Sequence, residues 1–265
     1  MFHLLENMRS ELKLGASWYL ETAARLILMS DRDEIEEVIR ELSYLRKGMA
    51  TLENVVKIVR IGLSEGRDHQ ELARKLLQYR EKANLKFLEQ AKNFRAKCLV
   101  TISYSNAVRN LLKEGKVDLL FIAESKPGEE SISAMQEYSK FVRVNLIPDS
   151  TVSHFLDQCE GLVIGSDGVY SSGYVINKVG SKSAAFYASR QGKRVVVALE
   201  SYKAWDGEVP GFFEIELNGV KVPLLEPLNL NYITEMITDL GVLMKPDGYV
   251  ISQVHRYFVN SVLRY

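Results

Sequence analysis

The first 95 residues carry apolar side chains at the three- and four-residue spacing of amphipathic helices. In the segment 33–45, for example, Ile35, Val38, Ile39 and Leu42 share one face, and charged residues occupy the other. This pattern predicts an N-terminal helical domain over residues 1–95. Its predicted helices cover 16–29, 33–45, 52–61 and 68–94.

The period changes near residue 96, where short β-rich apolar runs begin to alternate with helical segments. This alternation is typical of βαβ units, so residues 96–265 are predicted to form an α/β domain with a doubly wound, mostly parallel sheet. The predicted strands are 98–102, 117–123, 141–147, 162–164 and 194–199, with helices at 107–114, 131–140, 149–158 and 184–191. Further on, the sequence predicts a hairpin of 212–217 with 220–225, a short helix at 231–240 and a last helix at 249–262.

The composition is that of an ordinary globular protein, with 46% hydrophobic residues and 34 Lys plus Arg against 34 Asp plus Glu. Because neither part of the chain is strongly basic, direct nucleic-acid binding is not expected. No apolar run approaches the length of a membrane span. Cys98 and Cys159 lack the spacing of a disulfide framework or a metal site, and the histidines form no ligand cluster. We therefore expect a cytoplasmic protein with no metal site and no membrane contact.

The most informative stretch is 160–200, where an acidic residue and a small-residue turn stand between two buried strands. Asp167 follows the strand 162–164 directly, and the segment 177–181 (NKVGS) opens the next helix. Backbone N–H groups at a helix N-terminus favour an anion, and Lys178 adds a positive charge. The stretch therefore predicts an anion-binding site in which Asp167 is placed to hold sugar hydroxyls.

Polar side chains also follow the other predicted strands. They are Ser103 and Ser105 after the first strand, Glu124 and Lys126 after the second, and Ser201 and Lys203 after the fifth. The carboxyl ends of parallel strands meet at one edge, so we expect these groups to converge with Asp167 on one crevice. Each also has a plainer interpretation as a helix cap, a turn residue or a solvated loop charge. The mixture of lysines and acids favours a phosphorylated sugar or nucleotide. Dinucleotide-binding, P-loop and nucleophile-elbow motifs are absent, so no cofactor is predicted.

Several motifs resemble those of the superfamily that contains the alpha, beta and delta subunits of initiation factor 2B and the isomerases of ribose 1,5-bisphosphate and methylthioribose 1-phosphate. The segment NKVGS (177–181) is similar to the family's N-K-I-G-T, and YITEMITDLGVL (232–243) is similar to its ITxxxTDLGVL. Weaker similarities cover 15–17, 46–52, 101–105, 124–127 and 165–169. The resemblance implies a helical N-terminal domain and a Rossmann-like C-terminal domain. It also implies a sugar-phosphate pocket between them and a homodimer contact near 231–243.

The strand ends and the resemblance together give one set of candidate ligand-binding residues. They are Gly15, Ala16, Arg46, Ser103, Ser105, Glu124, Lys126, Asp167, Asn177, Lys178, Gly180 and Lys203. In the isomerases of this family a Cys and an Asp carry the aldose–ketose conversion. The Asp matches Asp167, whereas the Cys position is Ser103 here. A serine hydroxyl without an adjacent base is a far weaker acid than a thiol.

Two functions are compatible with these observations. The first is a non-enzymatic, initiation factor 2B-like regulatory subunit that self-associates, binds a sugar phosphate or nucleotide, and contacts an initiation factor 2 subunit or another regulatory subunit. The alternative is a sugar-phosphate isomerase, in which Asp167 relays a proton and Ser103 or a water replaces the thiol. At the two positions where the family has arginines that bind phosphate, this sequence has Leu14 and Lys126. Lysine binds phosphate only as a point charge, whereas arginine binds it with two hydrogen bonds. These departures favour the regulatory function.

Overall fold

A computed structural model describes residues 2–11, 14–128, 130–211 and 213–264. The first part of the chain is helical, as its apolar periodicity predicts, and its helices share a core that includes Leu20, Ile39 and Val55. The helices are α1 (Phe2–Ser10), α2 (Ala16–Met29), α3 (Ile35–Leu45), α4 (Ala50–Ser64), α5 (His69–Ala91), α6 (Asn106–Glu114), α7 (Glu130–Tyr138), α8 (Val152–Gln158), α9 (Ser181–Arg190) and α10 (Gly248–Leu263).

Strands begin at Arg95 and are interleaved with helices over the rest of the chain. They are β1 (Arg95–Thr101), β2 (Lys116–Ala123), β3 (Arg143–Ile147), β4 (Gly161–Ile164), β5 (Gly168–Tyr170), β6 (Tyr174–Lys178), β7 (Arg194–Ala198), β8 (Ala204–Trp205), β9 (Glu214–Leu217), β10 (Val220–Pro223), β11 (Leu225–Asn229), β12 (Glu235–Thr238) and β13 (Gly241–Met244). Within the described residues, seven of them form the main sheet in the order β13-β12-β7-β4-β1-β2-β3. Its pairs are parallel except for the edge pair β12–β13, so the predicted mostly parallel sheet is confirmed.

Helices cover both faces of this sheet, which is why its central strands are continuous apolar runs rather than alternating ones. Helices α8 and α9 pack on one face, with Leu156 and Ala188 in the shared core. Helices α6 and α7 and the end of α5 pack on the other, where Phe87, Leu111 and Ala134 are buried. The fold is therefore the doubly wound α/β class that the alternating pattern predicts.

A smaller sheet, with the order β11-β6-β5-β8, joins the α/β part to the helical part. Tyr170 and Ile176 of this sheet share a core cluster with Ala50 of α4. The predicted hairpin is confirmed as the antiparallel pair β9–β10, while Phe212, which was expected to begin it, lies outside the described residues.

The C-terminal helix α10 packs against the helical part of the chain. Its residues Phe258 and Val262 belong to the same core cluster as α2, α3 and α4. The last helix is thus placed as predicted, and it shares its core both with the N-terminal helices and, through Ile251 and Val254, with the α/β part. The division into domains at residues 95 and 96 stays a prediction.

The predicted helix at 231–240 is wrong. A 3₁₀ turn at Leu230–Tyr232 leads into β12, which pairs with β7 and turns back into β13. The β-branched residues Ile237 and Thr238 suit this buried strand, and Gly241, with φ 126°, accommodates the reversal. The sheet offers the backbone of this segment hydrogen-bond partners on both sides, and that tertiary contribution outweighs the helical periodicity.

The expectation that the cysteines stay unpaired is also wrong. Cys98 in β1 and Cys159 just before β4 are joined as a disulfide, with their Cα atoms 4.7 Å apart. The two positions meet because β1 and β4 are neighbours in the sheet, a relationship that sequence spacing does not reveal.

Candidate functional site

The candidate site lies where the strand order of the main sheet reverses. From β1 the chain proceeds outward through β2 and β3, whereas β4, β7 and β12 extend from its other side. Ligands of open α/β sheets bind at such a switch point, outside the carboxyl ends of the strands. The loop after β1 supplies Ser103 and Ser105 to this point, and the loop after β4 supplies Asp167.

A small cavity lies at this switch point, against the start of α2. It is lined by Gly15, Ala16, Ser17, Tyr104, Ser105, Asn106, Ser166, Asp167, Asn177 and Lys203. Its volume is only about 30 Å³, which is room for a water molecule and too little for a sugar phosphate. A larger ligand therefore needs a rearrangement of the surrounding side chains.

The structure brings six of the predicted site residues together on the cavity wall. They are Gly15, Ala16, Ser105, Asp167, Asn177 and Lys203. Sequence reasoning missed Ser17, Tyr104, Asn106 and Ser166, which are the chain neighbours of predicted residues. Gly165 explains part of the close fit, because a Cβ at this position would collide with the side chain of Ser105.

Asp167 is the acidic residue of the cavity. Burial raises the pKa of its carboxyl group, and the nearby cations Lys203, Arg46 and Lys178 act in the opposite direction. Its backbone N–H donates to the carbonyl of Ile176 at 2.9 Å, which ties the end of β4 to the β5–β6 hairpin. A carboxyl group in this setting can accept a hydrogen bond from a ligand hydroxyl or exchange a proton with it.

Ser103 directly precedes Tyr104 of the cavity wall, and both its backbone N–H and its hydroxyl are hydrogen-bonded. Its backbone is left-handed, with φ 69°, and its N–H donates to the hydroxyl oxygen of Ser125 at 2.7 Å. Its own hydroxyl donates to Oε1 of Glu130 at 2.9 Å. No residue beside Ser103 in the sequence could serve as its base, but the fold places the Glu130 carboxylate, from the start of α7, next to its hydroxyl.

The same oxygen of Glu130 also contacts Lys178. The ammonium nitrogen of Lys178 lies 2.7 Å from Oε1, and the two side chains are only 5% and 7% exposed. Lys178 is therefore not on the cavity wall, contrary to what its place in the NKVGS motif suggests. A Cβ at Gly128 would collide with both the carboxylate and the ammonium, so the glycine backbone lies directly against this pair.

Two further anion-binding groups of the site are also occupied by the chain's own carboxylates. The ammonium of Lys203 lies 2.8 Å from Glu200 in a second buried ion pair. At the N-terminus of α9, the backbone N–H of Lys182 donates to the carboxylate of Glu226 at 2.8 Å. Gly180 caps this helix with a left-handed φ of 98°. Nearby, the amide of Asn177 donates to the hydroxyl of Ser181 at 2.8 Å.

The remaining predicted residues do not line the cavity. Arg46 is buried with its guanidinium over the rings of Tyr19 and Phe213, and it donates to the carbonyl of Glu11. Glu124 and Lys126 are exposed in the loop after β2. The backbone N–H of Lys126 donates to Asp149, which leaves its side chain in solvent.

The larger cavities of the described residues lie elsewhere. One of about 990 Å³ lies between α5, α10 and the β12–β13 turn, and it includes Asp239, Leu243, Tyr249 and Tyr257. It contains none of the predicted site residues. Within the described ranges, no group of three or more His, Cys, Asp or Glu side chains is arranged to hold a metal ion. Nor does any described helix combine the length and apolarity needed to cross a membrane.

Comparison with known proteins gives consistent family matches over most of the chain. A family model described as "Initiation factor 2 subunit family" matches residues 15–207. The ribose 1,5-bisphosphate isomerase of Methanocaldococcus jannaschii is 25% identical over 275 residues, covering 92% of this chain and 88% of the relative. A putative translation initiation factor eIF-2B subunit 2-like protein of Pyrococcus furiosus is 27% identical over 275 residues, covering 92% and 96%. The crystal structure of a Pyrococcus horikoshii translation initiation factor eIF-2B superposes with a TM-score of 0.81 at 20% identity, covering 92% of this chain and 97% of that one.

Proposed function

The chain belongs to the initiation factor 2 subunit family, and we propose that it is a non-catalytic, initiation factor 2B-like regulatory subunit of translation initiation. Its switch-point cavity is a binding site for a small hydroxylated, phosphorylated ligand, a sugar phosphate or a nucleotide. The ligand acts as a regulator and is not converted. We assign to this site the residues of the cavity wall together with Ser103, Lys178 and Gly180. The set predicted from the sequence also contains Arg46, Glu124 and Lys126, which do not line the cavity.

One observation carries the proposal. The groups that an isomerase of this fold would offer to phosphate are occupied by internal carboxylates: Glu130 on Lys178, Glu200 on Lys203 and Glu226 at the N-terminus of α9. A sugar bisphosphate, with two phosphate groups, would have to displace more than one of these carboxylates, whereas a ligand bound through a single phosphate group needs to displace only one. In addition, the position of the reactive thiol is Ser103, which is hydrogen-bonded to Glu130.

The test is to incubate the purified protein with ribose 1,5-bisphosphate and with methylthioribose 1-phosphate and to follow the isomerised products. We expect no turnover, and we expect the melting temperature to rise with a sugar phosphate or a nucleotide. Turnover that is lost in Asp167→Asn would overturn the proposal. If no tested ligand changes the melting temperature, the binding role is wrong as well.

A second candidate function, a sugar-phosphate isomerase, is favoured by one specific contact. The hydroxyl of Ser103 donates to the buried Glu130 carboxylate, which is the adjacent base that a serine needs to move a proton. In that function Asp167, whose pKa burial raises, exchanges a proton with one sugar hydroxyl, and the Ser103–Glu130 pair serves the other. The same turnover assay decides between the two functions.

We further propose that the protein self-associates through the edge of the main sheet and that, as a role in translation initiation requires, it works in the cytoplasm. Strand β13 is an edge strand with exposed Val242 and Met244, and exposed Tyr249 follows it. An edge with unpaired backbone groups and exposed apolar side chains is a suitable surface for a second copy of the chain. The partner of the assembled protein would be an initiation factor 2 subunit or another regulatory subunit.

A further inference from the structure

Glu130 occupies Lys178, one of the two deeply buried lysines associated with the candidate site. Its Oε1 lies 2.7 Å from the ammonium of Lys178 and accepts the hydroxyl hydrogen of Ser103 at 2.9 Å. Both members of the ion pair are almost completely removed from solvent. A second anion packed against the same ammonium would be repelled by the Glu130 carboxylate at short range.

The charge of the region is already balanced without a ligand. Around Asp167, the cations Lys203, Arg46 and Lys178 are matched by the carboxylates of Asp167 itself, Glu130 and Glu200. A phosphate group that enters this region therefore adds uncompensated negative charge unless one of these carboxylates leaves. The cavity volume of about 30 Å³ likewise requires some side chain to move before a sugar phosphate fits.

Glu130 is the carboxylate best placed to leave. It is the first residue of α7, so its side chain can rotate away while the rest of the helix stays packed through Ala134 and Tyr138. Glu200, by contrast, is 2% exposed and is followed at once by Ser201, which Asp239 holds through two hydrogen bonds. Displacing Glu130 costs two contacts, and both donors, Lys178 and Ser103, then become available to the incoming anion.

We propose that Glu130 is an internal substitute for the ligand's phosphate and sets the phosphate affinity of the site. The phosphate group replaces the Glu130 carboxylate on Lys178 and Ser103, and a neutral sugar, which leaves the ion pair intact, does not. The inference rests on the proposed function, because it assumes that the site takes a phosphorylated ligand. Beyond that function, it identifies Glu130 as the residue that determines how tightly the phosphorylated ligand binds.

Isothermal titration calorimetry with ribose 5-phosphate and with ribose tests this directly on the full chain. Glu130→Gln is expected to bind ribose 5-phosphate about tenfold or more tightly than the unmodified protein does, because the competing charge is gone. Binding of ribose should not change. The matched control is Glu137→Gln, in the same helix but paired on the surface with Lys140 and Arg109, and it should leave both affinities unchanged.

A second variant identifies the cation. Adding Lys178→Met to Glu130→Gln should abolish the gain in ribose 5-phosphate affinity. If Glu130→Gln binds ribose 5-phosphate no more tightly than the unmodified protein, or if neither binds it at millimolar concentration, the proposal is overturned. An equal gain for ribose would also overturn it, because the effect would then not concern charge.

A readout on the unmodified protein covers the case in which Glu130→Gln does not fold. Saturating ribose 5-phosphate should shift the carbon-13 resonance of the Glu130 side-chain carboxylate, and ribose should not. An unshifted Glu130 resonance would contradict its displacement. These results are separate from the turnover assay. If the protein is an active isomerase, the regulatory function is wrong, but Glu130 can still be displaced by phosphate. If Glu130 is not displaced, the regulatory function can still be correct.

Discussion

The carboxylate of Glu130 and the ammonium of Lys178 form a buried ion pair, 2.7 Å apart, beside the switch point of the main sheet. Removing one partner of such a pair leaves the other charged and desolvated, whereas removing both charges is often nearly neutral. Loss of either partner alone is therefore expected to destabilise the site, whereas loss of both is not.

Lys178→Met is expected to lower the free energy of unfolding by roughly 3–5 kcal/mol, since Glu130 is then left without its cation. The double variant Lys178→Met with Glu130→Gln should recover most of that loss. The surface substitution Lys140→Met, which removes an exposed partner of Glu137, serves as the control and should change stability by less than about 1 kcal/mol. Urea unfolding measures all three, and a double variant no more stable than Lys178→Met would contradict the pairing.

Gly161 is required by the close approach of two strands. It stands opposite Arg194 in the parallel pair β4–β7, and a Cβ at this position would collide with the carbonyl oxygen of Arg194. We expect Gly161→Ala to destabilise the protein by about 1–3 kcal/mol, measured by urea unfolding. Gly15→Ser is the matched control, because the space around Gly15 is open and serine is favoured at a helix N-cap. A tolerated Gly161→Ala would show that the β4–β7 register is wrong.

Glu53 makes stability depend on pH. Burial raises the pKa of its carboxyl group from 4.5 to about 7, and the hydroxyl of Tyr170 donates to it at 3.1 Å. Between these pH values the folded protein keeps a proton that the unfolded chain has lost, so the contribution of Glu53 to stability falls as the pH rises.

Glu53→Gln, which cannot ionise, should therefore melt at a higher temperature than the unmodified protein at pH 8. The difference should vanish near pH 4.5, where Glu53 is protonated in the folded protein and half protonated in the unfolded chain. Scanning fluorimetry over this range provides the measurement, with the exposed Glu36→Gln as control. The quantity to compare is the melting temperature of Glu53→Gln minus that of the unmodified protein. If this difference is smaller at pH 8 than at pH 4.5, burial does not dominate the pKa of this carboxyl group.

The edge strand β13 gives a test of self-association. Met244 is 67% exposed on this strand, so Met244→Lys should shift the protein toward monomer in sedimentation velocity experiments by placing a charge in the proposed contact. Met29→Lys, at a similarly exposed position at the end of α2, should leave the association state unchanged. Equal behaviour of the two variants would exclude the β13 edge as the contact.

The fold could be predicted well from the sequence because local periodicity and burial agree over most of the chain. Apolar stripes located α2 and α3, and continuous runs such as 194–199 located buried strands. The segment 231–240 was misassigned because its helical spacing competes with a sheet edge that the sequence does not show. The pairing of Cys98 with Cys159 depends on the same kind of information, namely which strands are neighbours.

The candidate site could be predicted only in part. Motifs located Asp167 and Asn177, the predicted end of the fifth strand located Lys203, and these three residues do line one cavity. The electrostatic role of Lys178 could not be predicted, because this residue lies in β6 whereas its partner Glu130 comes from helix α7, and no local pattern links the two. Glu226 is a similar case, since β11 carries it to the N-terminus of α9. Motif residues indicate where a site lies, whereas long-range contacts determine which of its charged groups are already paired within the chain.

We propose that this member of the family binds a ligand at its switch point and does not catalyse a reaction there. The most direct measurement is a single-turnover experiment, in which the protein is in excess over ribose 1,5-bisphosphate and the sugar phosphates are followed by phosphorus NMR. We predict that the substrate stays unconverted, and that Asp167→Asn gives the same spectrum as the unmodified protein. Conversion by the unmodified protein that disappears in Asp167→Asn would contradict the account and establish an isomerase that works without a thiol.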